Sequence, residues 1–293
     1  MPSKTDFNVS PYYDDFTESK KFHRVMYRPA YAVQARELTT QQSITQDQIE
    51  KFADHMFEHG AMVVPGQVEP DMHYNAVKLT SLTGTLADYN GTQVVGGTSG
   101  VSADVVNIVA TDGTDPDTLF VKYRNSGTDN VSSVFTDGET LTSSAGTAVV
   151  STTAQGAAVK IEAGTYYING FFVAVDEQTL ILDKYTNTPS YRVGLVISES
   201  FITSTDDTSL LDNATGSSNA NAAGAHRFKI DLTLSKLSLT STADASFVEL
   251  MRINSGTVVN KVTSTDYSVL EDTLARRTFD ESGDYVIRNF DLD

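Results

Sequence analysis

Residues 159–203, VKIEAGTYYINGFFVAVDEQTLILDKYTNTPSYRVGLVISESFIT, carry the densest β-strand signal in the chain and decide its fold class. Asn169-Gly170, between two aromatic runs, predicts a tight hairpin because both residues tolerate the positive φ of a type I′ turn. Thr-Asn-Thr-Pro at 186–189 predicts a second turn, and VGLVIS at 193–198 a third core strand. Strands that follow one another through turns, without intervening helices, predict an antiparallel, mainly β fold.

The same pattern continues C-terminal to this stretch. A loop of small polar residues is predicted at 204–224. It is followed by a half-buried strand, whose apolar positions alternate at Phe228, Ile230, Leu232 and Leu234. A hairpin around Ser255-Gly256, a short helix at 265–277 and a closing extended strand complete this part of the chain.

N-terminal to it, residues 84–160 are rich in Thr, Ser, Gly and Asp. Short β-favouring runs such as TLFVKYRNSG at 118–127 are separated by Asp-Gly, Ser-Gly and Gly-Gly turns. This composition predicts a small β-sandwich or barrel inserted into a longer chain.

Residues 1–34 predict an extended aromatic arm, because Pro11 and Pro29 break any helix. The arm is too short to bury its own rings, so we expect it to lie across another surface, that of its trimer mates or of a neighbour in an assembly. The rings are Phe7, Tyr12, Tyr13, Phe16, Phe22, Tyr27 and Tyr31.

Residues 35–59 predict a helix, with Gly60 placed to end it. Ile49, Phe52 and Met56 fall at spacings of three and four, and Thr45, Gln42 and Leu38 extend the stripe towards the N-terminus. A seam interrupted by Gln and Thr favours a short bundle between subunits. Packing of the helix on the chain's own sheet remains the alternative. A connector punctuated by Pro65 and Pro70 is predicted at 62–77.

These segments together predict a mainly β fold with one N-terminal helix, elongated and built from several small antiparallel modules of sandwich or barrel type. We divide the chain into the arm and helix (1–77), the Thr/Gly-rich inserted β domain (78–158), a second β domain (159–265) and a C-terminal junction to a distal domain or partner (266–293).

Composition excludes several classes of function. A net charge of −17 disfavours nucleic acid as a partner, and the basic cluster Lys20–Arg28 directly follows acidic residues that balance it. The absence of cysteine excludes disulfides, zinc–thiolate sites and a cysteine nucleophile, leaving oligomerisation as the expected stabiliser. No apolar run approaches the ~18 residues of a membrane span and no signal peptide is visible, so we expect synthesis in the cytoplasm without membrane insertion.

Two patterns raise the question of catalysis. His55-Met-Phe-Glu58-His59 matches a metallopeptidase motif, but no second helix offers the further acidic ligand, so we expect a structural role. Adjacent acidic residues could form the carboxylate pair of a glycosidase, yet they lie in predicted loops and no Trp is present for sugar stacking. These pairs are Asp14/Asp15, Asp206/Asp207, Glu271/Asp272 and Asp280/Glu281. We therefore expect no enzyme, no metal and no cofactor.

Five blocks of this sequence resemble virion structural proteins of large contractile-tailed phages, including those of cyanobacteria. The longest is NVSPYYDDFTESKKFHRVMYRPAYAVQARELTTQQSITQDQIEKFADHMFEHGAMVVPG at 8–66, in which an aromatic arm leads into a Gln-rich helix. The others are GTYYINGFFVAVDEQTLIL, SYRVGLVISESFIT, LLDNATGSSNANAAGAHRFKIDLTL and LARRTFDESGDYVIRNFDL. The resemblance spans nearly the whole chain except the stretch around 84–160, and none of its blocks is a catalytic motif.

The resemblance implies a structural virion component of the tail, a baseplate or fibre anchor or adaptor. We expect a homotrimer that binds other tail or baseplate proteins, and a distal fibre if one follows. The expected docking interface comprises Tyr12, Tyr13, Phe16, Arg24, Arg28, Arg36, Ile49, Phe52 and Met56. The alternatives are a neck or collar fibre, and a tailspike that binds or cleaves polysaccharide.

Overall fold

A computed structural model describes residues 5–128, 131–241, 246–262 and 268–283. Helix α1 spans Ala35–Ala53 and helix α2 spans Ser268–Ser282. At the start of α1, Glu37 accepts a hydrogen bond of 2.9 Å from the Gln34 backbone N–H, which satisfies one of the donors that a helix N-terminus leaves unpaired. Neither helix in these ranges is long and apolar enough to cross a membrane.

The described strands all pair antiparallel and form three sheets. They are β1 Met62–Val64, β2 Val68–Leu82, β3 Gln93–Gly96, β4 Ser102–Val109, β5 Thr118–Asn125, β6 Thr140–Ser143, β7 Gly146–Ile161, β8 Gly164–Ile168, β9 Phe171–Val175, β10 Gln178–Asp183, β11 Tyr191–Ile202, β12 Arg227–Ser238, β13 Phe247–Asn254 and β14 Thr257–Lys261. The predicted mainly β, antiparallel fold with an N-terminal helix is confirmed.

The largest sheet closes into a barrel. Its strand order is β10-β7-β2-β5-β4-β3-β6, and β6 pairs back onto the N-terminal half of β7. The ring β7-β2-β5-β4-β3-β6 thus has no free edge, and β10 extends the sheet beside β7. Buried side chains fill the interior, among them Tyr89, Val94, Leu119 and Leu141.

A second core lies beyond one end of the barrel. The three-stranded sheet β1-β8-β9 and the four-stranded sheet β12-β11-β13-β14 enclose it together with β10 and the far ends of β2 and β7. Ile161, Tyr166, Leu195 and Leu250 are among its fully buried members. Strands β2 and β7 contribute side chains to both cores, so the predicted domain boundaries at residues 78 and 158 fall inside continuous strands.

Several local predictions are confirmed. The turns Asn169-Gly170 and Ser255-Gly256 join the hairpins β8–β9 and β13–β14. The polar segment 204–224 is mostly exposed and contains only a short 3-10 turn at Thr208–Leu210 and one isolated bridge. The predicted C-terminal helix is present as α2, whereas the extended strand expected after it, at 284–293, lies outside the described residues.

The connector predicted at 62–77 is wrong, because β1 and most of β2 occupy it. Pro70 is tolerated within β2 since only β7 pairs with the strand at that point; the ladder with β5 begins at Asn75. A register irregularity between Asp71 and Tyr74 follows it directly. A proline beside an unpaired edge and a bulge costs no ladder hydrogen bond.

The predicted helix end at residue 59 is also wrong, because α1 ends at Ala53. Ala53, Phe57 and Tyr167 form a small buried cluster, and turning the chain after Ala53 lets Phe57 enter it. Gly60, with φ of +88°, then donates to the Tyr167 carbonyl at 2.8 Å. Burial of Phe57 therefore outweighs the helical propensity of residues 54–59.

Candidate interaction surface

One face of α1 packs on the β8–β9 hairpin. Ala53 is buried there beside Tyr167, and Gln46 Nε2 donates to the Gly170 carbonyl at 2.6 Å. Tyr167 Oη donates to Asp54 Oδ1 at 2.6 Å; burial, together with this carboxylate, raises the pKa of the Tyr167 hydroxyl. The intrachain packing that the sequence left as an alternative is thus present, but it uses only this face of the helix.

Gly170 makes this contact close. Its φ is +88°, and a Cβ there would lie 3.0 Å from the Glu50 carboxyl carbon. The positive φ favours glycine here, and a side chain would also displace the Glu50 carboxyl group. Burial in the contact raises the pKa of Glu50.

The opposite face of α1 is exposed. It carries Leu38, Ile49 and Phe52, the last with 71% of its surface accessible. A shallow groove of about 460 Å³ follows this face, lined by Leu38, Gln41, Gln42, Thr45, Gln46 and Ile49. An apolar helix stripe that its own chain leaves uncovered is typical of a surface for another chain.

The first part of the arm lies on its own chain. The Phe7 ring packs edge-on against Phe201 and Phe228, and the Tyr12 ring stacks on Phe201 at 4.9 Å. Tyr12 Oη and His226 Nδ1 share a hydrogen bond of 2.7 Å. Residues 7–12 thereby dock against the ends of β11 and β12, where an arm free of its own chain was expected.

Asp14 fixes the arm to α1. Its side chain is buried, with 6% exposure. Thr40 Oγ1 donates to Asp14 Oδ1 at 2.8 Å, and Ser43 Oγ donates to Asp14 Oδ2. This carboxylate and the two hydroxyls set the path of the arm relative to the helix.

Asp14→Ala is expected to release residues 13–16 from α1, whereas residues 7–12 keep their contacts with β11 and β12. Hydrogen bonds to a charged group contribute about 1.5–3 kcal/mol, so amide exchange at Tyr13 and at Phe16, whose N–H donates to Asp14, should accelerate on the order of 10- to 100-fold. Hydrogen exchange with mass spectrometry measures this directly. Asp15→Ala, which removes only the exposed pair with Lys20, is the control, and equal exchange in both variants would contradict the anchoring role.

The second part of the arm is exposed. Its apolar side chains Phe22, Met26, Tyr27, Tyr31 and Val33 face away from the described core, and Met26 is 76% accessible. Tyr27 Oη donates to Gln41 Oε1 of α1 at 2.7 Å, whereas the Arg28 guanidinium contacts the Tyr31 ring, at 4.8 Å, within the segment itself. This segment and the exposed face of α1 form the candidate interaction surface.

The predicted docking residues divide between this surface and the chain's own packing. Tyr13, Arg24, Arg28, Arg36, Ile49 and Phe52 are exposed. Tyr12 stacks on its own sheet, Phe16 is half-buried, and Met56 packs against the cluster of Ala53, Phe57 and Tyr167. Sequence reasoning missed Asp14 and Gln46, since a single acid in an arm and a glutamine on a helix carry no pattern of their own.

Several of the groups weighed for catalysis have structural partners. The acidic pairs Glu271/Asp272 and Asp280/Glu281 lie in α2, not in loops as expected. His59 lies beyond the end of α1, where its Nδ1 accepts from the Asn169 N–H at 3.3 Å. In the described ranges no group of three or more His, Cys, Asp or Glu is placed to hold a metal. Hydrogen bonds from Lys20, Thr203 and Ser209 lower the pKa of Asp15, Asp206 and Asp207 respectively, whereas a general acid needs a raised pKa.

Comparison with known proteins gives one family. The family model described as a domain of unknown function, DUF4815, matches residues 10–119 and 118–293. No curated protein matches the chain. No solved structure matches it either. Because the two matched segments cover nearly the whole sequence, the chain belongs to the DUF4815 family.

Proposed function

We propose that this chain is a structural component of a phage tail, a baseplate or fibre adaptor that assembles as a homotrimer and docks through its arm and α1. The observation that carries the proposal is the exposed apolar face of α1 beside the exposed second part of the arm. The sequence blocks that resemble tail proteins of contractile phages support the same function. Subunits of such assemblies bury exposed apolar surface against neighbouring subunits, and the exposed face of α1 is a surface of this kind.

A tailspike that cleaves polysaccharide is the competing proposal, and the geometry favours it less. Asp14 is engaged by Thr40 and Ser43. The pKa values of Asp15, Asp206 and Asp207 are lowered, which favours the charged form of these carboxyls. The raised pKa of Glu50 belongs to a carboxyl packed against Gly170.

Immunolabelling of purified particles tests the assignment to the tail. Antibodies raised against the full chain are applied to particles of the phage that encodes it and viewed by electron microscopy. Label at the baseplate or on a fibre is expected. Label at the neck would instead favour a collar fibre. Particles that contain none of the chain by mass spectrometry would overturn the proposal.

Phe52→Asp is expected to dissociate the trimer without unfolding the subunit. A central apolar contact contributes about 2–4 kcal/mol to association, so the variant should be monomeric at concentrations where the unmodified chain is trimeric. Light scattering measures the mass, and circular dichroism checks the fold. Val106→Asp, at a 46% exposed position on the barrel strand β4, is the control. A trimer that survives Phe52→Asp would restrict α1 to its intrachain role.

A further inference from the structure

Residues 20–36, here called the basic strap, reverse the charge of the chain. They contain five Lys or Arg and no Asp or Glu, so their net charge is +5. Since the whole chain has a net charge of −17, the remaining residues have a net charge of −22. The described residues 21–34 form neither helix nor strand. A segment with this charge is attracted to acidic surfaces, and the acidic surface present in every assembly of this protein is that of another copy.

The strap also presents apolar side chains that its own chain leaves exposed. Phe22, Met26 and Tyr31 are each more than half accessible. Large apolar and aromatic groups that alternate with Arg are the typical composition of an interface core. The strap therefore offers apolar anchors as well as charge, and it requires a partner surface that accepts both.

The groove on α1 has matching chemistry. Leu38 and Ile49 supply apolar contacts near its two ends, with Gln and Thr side chains between them that can pair with an extended backbone. The lining of the groove is uncharged, and Glu50 and Asp54 face the β8–β9 hairpin. The charge attraction therefore comes from the acidic remainder of the second copy, and the groove itself supplies the apolar and hydrogen-bonding contacts. Its own strap contacts the flank of this groove through the hydrogen bond between Tyr27 and Gln41.

We propose that the basic strap of one copy binds in the α1 groove of a second copy. The contact is heterologous, since each copy gives one strap and receives one, and such contacts close into a ring when the rotation between copies permits it. The inference rests on the proposed homotrimer and specifies its interface: strap exchange takes the place of a seam made only of three α1 helices.

The absence of cysteine makes a clean test available. Phe22→Cys, Met26→Cys and Tyr31→Cys chains are each co-expressed with a tagged Gln42→Cys chain, and a short thiol cross-linker is added. Peptide mass spectrometry identifies the linked positions, and the tag shows whether the two belong to different chains. At least one strap position is expected to link to residue 42 of the other chain. Ser217→Cys, in the exposed loop at 204–224, replaces Gln42→Cys as the control and should link at a yield at least tenfold lower.

Light scattering of the same samples separates the two proposals. A trimer in which none of the three strap positions links to residue 42 would overturn strap exchange and leave the homotrimer standing. Monomers without links would overturn both. Arg24→Glu in the strap chain is expected to lower the yield of the link several-fold, as is raised salt, because both weaken the charge attraction. A yield that neither change affects would overturn the electrostatic part of the proposal.

Discussion

Gly194→Ala is expected to destabilise the four-stranded sheet by about 3 kcal/mol or more, since the new methyl group would overlap backbone that cannot move aside. Gly194 lies in β11, the strand that β12 and β13 flank. A Cβ there would overlap the Val248 carbonyl oxygen and lie 2.8 Å from Phe247 Cζ. The close approach arises from a register shift between Val193 and Gly194 in the pairing with β13, the usual setting for a strand glycine.

Thermal unfolding followed by circular dichroism measures this effect. Ser198→Ala places the same residue at an exposed position of the same strand and should change the midpoint little. Equal midpoints for the two variants would mean that β11 and β13 do not approach each other as described.

Glu139→Gln is expected to destabilise the barrel by about 3 kcal/mol at pH 7, the range for hydrogen bonds to a buried charged group. Glu139 is 4% exposed. Its Oε2 accepts from the backbone N–H groups of Thr98 and Ser99 at 3.0 and 2.9 Å, and its Oε1 accepts from the Thr136 N–H at 2.7 Å. Because both oxygens face N–H donors, a glutamine amide must point its NH₂ at one of them in either orientation.

The pH dependence gives this prediction a second readout. Burial by itself raises the pKa of Glu139, but the hydrogen bonds from Ser99, Thr136 and Thr98 outweigh it and leave the pKa below its ordinary value of 4.5. The stabilisation is therefore fully present above about pH 4.5 and lost as the pH falls through the folded-state pKa. The difference in unfolding free energy between the unmodified chain and Glu139→Gln should shrink on acidification. Glu69→Gln, on the exposed face of β2, is the control, and a difference that does not change with pH would contradict the role of the charge.

The sequence predicted those parts of the fold that depend on neighbours in the chain. Asn169-Gly170 and Ser255-Gly256 specify their hairpins through the backbone conformations that they permit, and both hairpins are present. The alternation of apolar residues from Phe228 to Leu234 identified β12, because a period of two is also a pattern of neighbouring residues. Closure of the barrel is different, because it depends on the pairing of β2 with β7 and of β3 with β6, strands that are far apart in sequence and meet only with the right combined twist and register.

The errors have a tertiary cause. Residues 54–59 favour a helix locally, yet burial of Phe57 against Ala53 and Tyr167 ends α1 earlier. The stripe of Ile49, Phe52 and Met56 was a single feature in the sequence, and the early helix end divides it. Ile49 and Phe52 stay exposed, whereas Met56 packs on its own chain.

The candidate surface was only partly accessible to sequence reasoning. Helical spacing identified the exposed stripe of α1, because period 3.6 is visible without a fold. The arm has no such period, so its division at Asp14 into an anchored and an exposed part follows from three side chains that meet only in the folded chain.

The mass of the full chain in solution tests the central claim most directly, namely that the exposed face of α1 and the second part of the arm form an interface between copies. Light scattering over a series of concentrations measures it. The account predicts a species near three times 31.8 kDa that dissociates only on strong dilution. A mass of one chain at every concentration would contradict it.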